Sequence, residues 1–232
     1  MSTKVIVSYD GTANEDDAVA LGRLFGQAGA EVSLAYVRHA TEPDSAREDI
    51  AQHEAQALLG RGAELLGDQN AARHVVTDRS TPEGLAALAE REGADVIVFC
   101  SDSHTAKGHI AVGNSAQRLL EGGQVAVAIA PVDLAESVGA LAVSQIVAVG
   151  DADGGARETA EALASALGAT VAPVLDKNAG LLVIDSRPEA QAGRIAISSS
   201  ASHLIEIATC PVLALPRGKR LQFAHATAHA GV

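Results

Sequence analysis

The chain has 232 residues, 47% hydrophobic and 20% charged, with a formal net charge of −12 and a pI near 5.0; this is long enough for one large domain or two of roughly 100 residues, and too apolar for a disordered chain. The acidic balance argues against a nucleic-acid surface, which needs clustered Lys and Arg, and the lack of an apolar run of about 18 residues argues against a membrane span. Two cysteines, Cys100 and Cys210, are too few for a disulfide framework or a cysteine-based zinc cluster, and the opening MSTKVIVSYDG enters a strand pattern at once, with no signal-peptide layout, so a cytoplasmic protein is expected.

Residues 4–9 form an apolar, β-branched run that predicts a strand, closed by the turn Asp10-Gly11-Thr12. Apolar residues at helical spacing follow over 18–29, and 32–37 predicts a second strand, which completes a strand–helix–strand unit of a parallel sheet. A long helix is predicted over 44–66, with Asp44 or Ser45 as its cap. A weak strand at 74–77 and a helix opened by Thr81-Pro82-Glu83 come next. The continuous apolar run 95–99 reads as a buried strand, and 125–130 as a fifth strand ended by Pro131. Between them a short helix runs to Leu120, capped by Asn114 or Ser115. Five strands alternating with four helices predict an α/β fold with an open, doubly wound parallel sheet.

The pattern then restarts. Strands are predicted at 145–151, 181–184 and 212–215, and helices at 157–167 and 200–208. Gly108, Ser115 and Pro131 match Gly193, Ser200 and Pro216 at a constant offset of 85 residues, whereas Asp10 matches Asp151 at an offset of 141. About 56 residues of the first half therefore lack a partner, and the second half has lost two helices and a strand. Residues 1–133 read as a complete domain, 134–144 as a linker, 145–217 as a reduced second repeat and 218–232 as a disordered tail. Only residues 175–180 separate 170–174 from the strand at 181, too few for a parallel crossover. So 170–174 is expected as a connector or an antiparallel strand.

In an open parallel sheet the ligand crevice lies beyond the carboxyl ends of the strands. The loops there carry Asp10-Gly11-Thr12, Arg38-His39 and the segment CSDSHTAKGHIAVGNSAQ from Cys100. Gly113-Asn114-Ser115 either presents backbone N–H groups to an anion or simply caps its helix. The eight histidines show no metal spacing, although His225 and His229 stand four apart in the tail. Cys100 reads as a packed thiol, residues 43–54 as a solvated charged face, and neither a Walker A pattern nor a nucleophile elbow is present. No base, nucleophile or metal set supports a hydrolase or transferase.

The segments Val7-Ser8-Tyr9-Asp10-Gly11-Thr12, Leu34-Ala35-Tyr36-Val37 and Gly93-Ala94-Asp95-Val96-Ile97-Val98 resemble the V-x-x-D-G-S, L-L-H-V and G-A-D-L-I-V stretches of the universal stress protein family. That family's phosphate loop is G, two residues, G, nine residues, G, then Ser or Thr. The same frame fits here as Cys100, Ser103, Gly113 and Asn114. The resemblance covers about residues 3–133, and more loosely 145–217. It implies an adenine-nucleotide alpha hydrolase-like fold in two tandem repeats, the second reduced, and a stress-response role with at most weak ATPase activity. ATP or another adenine nucleotide would sit in the first repeat, with Mg²⁺ only alongside the nucleotide. Asp10 would contact ribose, flanked by Gly11 and Thr12. Val37 and Phe99 would line the base. Cys100, Ser103 and Gly113 would approach the phosphates, with Asn114 and Ser115 as donors. Two loop glycines are replaced by residues with a Cβ, and Asp102 stands where the family usually carries a non-acidic residue. A nucleotide-free dimerisation or scaffold protein of the same fold is the alternative. In the second repeat the frame reads Asp185, Pro188, Ser198 and Ser199, with no glycine, so no nucleotide is expected there. The family's dimers pair fifth strands; segments 125–130 and 212–215 are therefore expected to form an internal pseudo-dimer, with a homodimer as a further partner state and neither nucleic acid nor membrane bound.

Overall fold

In a computed structural model, which describes residues 2–12, 14–102, 104–136, 143–150 and 154–224, the run KVIVS forms β1 (Lys4–Ser8). The remaining elements of the first half are α1 (Glu15–Gln27), β2 (Glu31–Arg38), α2 (Ser45–Leu66), β3 (Arg73–Thr77), α3 (Thr81–Glu92), β4 (Val96–Cys100), α4 (Asn114–Leu120) and β5 (Ala126–Ala130). The second half holds β6 (Gln145–Val149), α5 (Gly155–Leu167), β7 (Thr170–Ala172), β8 (Leu181–Asp185), α6 (Ser199–Ile207) and β9 (Val212–Leu215). Asp44 caps α2, its carboxylate accepting the Arg47 N–H at 3.0 Å. The cap of α4 is Gly113, without a side-chain bond; Asn114 and Ser115 are the helix's first residues rather than its cap.

Among the described residues, all nine strands join one sheet in the order β3-β2-β1-β4-β5-β9-β8-β6-β7. Every neighbouring pair is parallel except β5 and β9, which run antiparallel in the register Val127 to Ala214, Ala128 to Leu213 and Ile129 to Val212. Alternate side chains sort to opposite faces. Val5, Val7, Val98, Ala128, Val183 and Leu213 pack under α1, α2 and α5; Ile6, Ile97, Val127, Ile129, Leu182 and Val212 pack under α3, α4 and α6.

Equivalent bonds recur on either side of the β5–β9 seam. The Ser101 hydroxyl donates to the Ala130 carbonyl at 2.7 Å, and the Ser186 hydroxyl to that of Leu215 at 2.7 Å. Gly108 N–H bonds to the Val132 carbonyl, and Gly193 N–H to that of Arg217, each at 2.9 Å. The strands β6, β7, β8 and β9 occupy the places of β1, β2, β4 and β5, with no counterpart of β3.

Two expectations need correction. The segment 170–174 contains a parallel strand after all. β7 pairs with β6 on the side away from β8, in the register Gln145 to Thr170. The link 173–180 therefore crosses over β6 as coil. It travels two strand spacings, ~10 Å, and back along a three-residue strand, which eight residues can span without a helix. The tail also begins later than 218. Lys219 pairs with Asp95 at 2.7 Å, the Leu221 N–H donates to the buried Thr159 hydroxyl at 3.0 Å, and Phe223 stacks on Phe25 with ring centroids 6.0 Å apart. A Cβ on Gly29, whose φ is +84°, would run into the Ala224 carbonyl. Residues 218–224 thus form a strap that lies over α5 and α1 on one face; 225–232, with His225 and His229, lie outside the described residues.

Leu221 is 1% exposed within this strap. Leu221→Ala is expected to lower unfolding free energy by about 2–5 kcal/mol, measured by urea denaturation at neutral pH.

Candidate functional site

The first-half strand order reverses between β1 and β4, because α1 leads outward to β2 and α3 leads back past β1 to β4. A cleft of about 550 Å³ opens at the carboxyl ends of these strands, where a switch point places it. Its walls bring together Asp10 and Thr12 after β1, Val37 at the end of β2, Phe99 and Cys100 from β4, and Gly113, Asn114 and Ser115 at the start of α4. Gly11 does not line it. A Cβ there would strike Leu58, so this glycine, with φ +80°, serves the turn and its contact with α2. Ser103 lies outside the described residues.

The residue that sequence reasoning missed is Glu15, the first residue of α1. It is 7% exposed, and its Oε2 accepts the backbone N–H groups of both Asp10 and Gly11, the latter at 3.0 Å. Burial, then the charge and the hydrogen bond of the neighbouring Asp10 carboxyl, push the Glu15 carboxyl up to about 9. Asp10 in turn accepts the Thr12 N–H on Oδ1 at 2.9 Å, which fixes the turn. The signal available in the sequence was the pair of carboxyls, five residues apart, flanking a turn into a helix. The side-chain amide nitrogen of Asn14, also on the cleft wall, is buried with no hydrogen-bond partner among the described residues.

Two cations near the cleft, Arg38 and Lys107, are engaged elsewhere. Arg38, 8% exposed, grips Glu48 through two bonds of 2.6 and 2.9 Å, and Glu48 also accepts the Glu42 N–H. That fork holds the Glu48 carboxyl down to about 2 and turns Arg38 away from the crevice. Lys107 reaches Asp133 at 2.6 Å and Glu136 at 3.5 Å. His104 bonds to Asp102, whose carboxyl the His104 backbone and ring N–H groups hold below its ordinary range. Among the described residues the lining contains Asp10, Glu15 and Asp102 as acids, His39 as its one basic group, and neither Lys nor Arg.

Cys100 is held as a thiol. Burial, with Glu15 and Asp10 adding negative charge, pushes its thiol up to about 12. Among the described residues, no group of three or more His, Cys, Asp or Glu could hold a metal ion, and no helix is long and apolar enough to cross a membrane.

At the equivalent strand end of the second half a carboxyl is turned inward. Asp185, at the place of Cys100, accepts the Ala156 N–H at 2.8 Å with one carboxylate oxygen and lies against Gly150 with the other. Ala156 itself stands at the place of Glu15. Each half therefore puts one carboxyl at the base of its crevice, from α1 in the first and from the end of β8 in the second. Asp151 lies outside the described residues.

The Glu15 carboxyl has a higher pKa folded than unfolded, so the stability it contributes is complete below about pH 4.5 and is lost as pH rises towards 9. Glu15→Gln keeps a neutral acceptor for the Asp10 and Gly11 amides and a donor for the Asp10 carboxylate. It is expected to be more stable than the parent by roughly 1–3 kcal/mol near pH 8, a gap that closes towards pH 5, followed by chemical denaturation across that range.

The fold and the chain's own sequence pattern agree with known proteins. The structure is similar to a crystal structure of a universal stress protein from Archaeoglobus fulgidus DSM 4304, with a TM-score of 0.69 and 16% identity over 94% of this chain and 100% of that one. It is also similar to a putative universal stress protein from Pseudomonas aeruginosa UCBPP-PA14 (TM-score 0.61, 15% identity, 93% and 94% covered) and to a functionally unknown protein from Pseudomonas aeruginosa PAO1 (TM-score 0.59, 14% identity, 93% of each). At such identities the likeness is one of fold. No curated protein matches the chain in sequence. The model of the Universal stress protein family matches residues 1–131, more than half of the chain, and the chain belongs to that family.

Proposed function

We propose that this universal stress protein binds one adenine ligand of the ATP class, in the cleft of its first half, and acts as a ligand-responsive stress protein rather than as a catalyst. The observation that carries this reading is the cleft at the β1–β4 switch point, where Asp10, Val37, Phe99, Gly113, Asn114 and Ser115 converge from four separate elements. Asp10 would meet ribose hydroxyls, and Val37 and Phe99 would form the apolar wall for the base. The Cys100 thiol, pushed up to about 12, is poorly suited to act as a thiolate nucleophile. Any ATP turnover would be slow, and Mg²⁺ would enter only with the nucleotide, because no protein cage for it exists among the described residues.

The second half is a reduced repeat in this reading, residues 145–217 after a linker at 134–144, kept as an internal partner for 1–133. The matched hydrogen bonds of Ser101 and Ser186, and the antiparallel junction of β5 with β9, support that pseudo-dimer. A further pairing of whole chains and a cytoplasmic location belong to the same proposal. One observation favours the ligand-free scaffold instead: Glu15 already occupies the amides of Asp10 and Gly11.

Thermal unfolding with adenosine, AMP and ATP at concentrations far above Kd separates the two. At about 100 times Kd, binding raises Tm by roughly 5–10 °C. Asp10→Ala is expected to abolish the shift, and Asp151→Ala to leave it intact. No shift with any of the three ligands leaves the scaffold reading standing.

A further inference from the structure

The cleft is poorly furnished to bind phosphate. Among the described residues its lining holds three carboxyls and neither Lys nor Arg, and two nearby cations, Arg38 and Lys107, are committed to Glu48 and to Asp133 and Glu136. The backbone amides of the β1–α1 turn, which a phosphate would otherwise seek, are taken by the Glu15 side chain. The helix that opens on the cleft from the other side, α4, has only seven residues, so its dipole adds little positive potential. What remains is suited to an uncharged ligand: the apolar surfaces of Ala35, Val37 and Phe99, and the neutral polar groups of Thr12, Asn14 and Ser115.

From this we infer that the cleft recognises the nucleoside part of an adenine ligand and discriminates against its phosphates, so that adenosine is preferred over AMP and AMP over ATP. The inference rests on the adenine-ligand reading above and narrows it. Asp10 is the carboxylate for the ribose hydroxyls, which suits neutral donors. Asp102, half-exposed in the same lining, repels a phosphate chain. Each added phosphate charge meets that field with His39 as the one basic group among the described lining residues.

Isothermal titration of the full chain at pH 7 with adenosine, with AMP, and with ATP in the presence and absence of Mg²⁺ tests this. Adenosine is expected to bind at least about tenfold more tightly than ATP at about 0.05 M salt, with AMP between them. The gap is expected to narrow at about 0.5 M salt, because only the charged ligands are subject to screening. Asp102→Asn is expected to tighten ATP binding more than adenosine binding. AMP or ATP binding as tightly as adenosine at low salt overturns the inference and leaves the adenine-ligand reading in place. If none of the three binds, both fail together.

Discussion

The antiparallel junction of β5 with β9 is the constraint from which the rest of the structure follows. Both strands are buried on both faces, and each would be an open edge without the other. A parallel sheet needs helices on both sides, and the second half, with four strands and two helices among the described residues, covers little of itself alone. By pairing edge to edge, the short second half gains a continuous core with the first. Two further ties cross the seam: the Ile195 N–H bonded to the Gly123 carbonyl at 2.8 Å on one face, and the strap of Leu221 and Phe223 over α5 and α1 on the other. These close the two faces that the junction alone would leave splayed.

The same architecture decides where chemistry can occur. A doubly wound sheet opens one crevice at the point where its strand order reverses, and this sheet reverses once in each half, between β1 and β4 and between β6 and β8. In both crevices the base is held by a carboxyl. In the first it comes from Glu15 at the helix start, and the space above stays open. In the second it comes from Asp185, whose side chain lies against Gly150 and accepts the Ala156 N–H. The raised Glu15 pKa follows from the same geometry, since two carboxyls in contact beneath a buried turn cannot both ionise at low cost.

Much of this was legible residue by residue. Periodicity located the strands and helices of residues 1–133, because buried parallel strands leave continuous β-branched runs and Gly or Pro closes each element. The constant offset between Gly108, Ser115, Pro131 and their later matches pointed to corresponding positions, and Gly108 and Gly193 make equivalent backbone bonds. The path of 170–180 was misjudged because the crossover length was taken for a full strand with a helical return, whereas a three-residue strand needs little. Residues 218–224 read as a tail because Leu221 and Phe223 are isolated apolar residues in a polar stretch, and their burial depends on a groove that the sequence does not display.

By itself, the amino-acid sequence determined the alternation of elements, the family and the loops that meet at the crevice, since these depend on local propensity and on spacing along the chain. The tertiary structure alone decided that Glu15 holds the turn amides, that Arg38 and Lys107 pair with carboxylates, and that Asp185 bonds to the start of α5. Those outcomes depend on which side chains meet across 4 to 29 residues of chain and on how deeply they are buried, and neither quantity is written in the order of the residues.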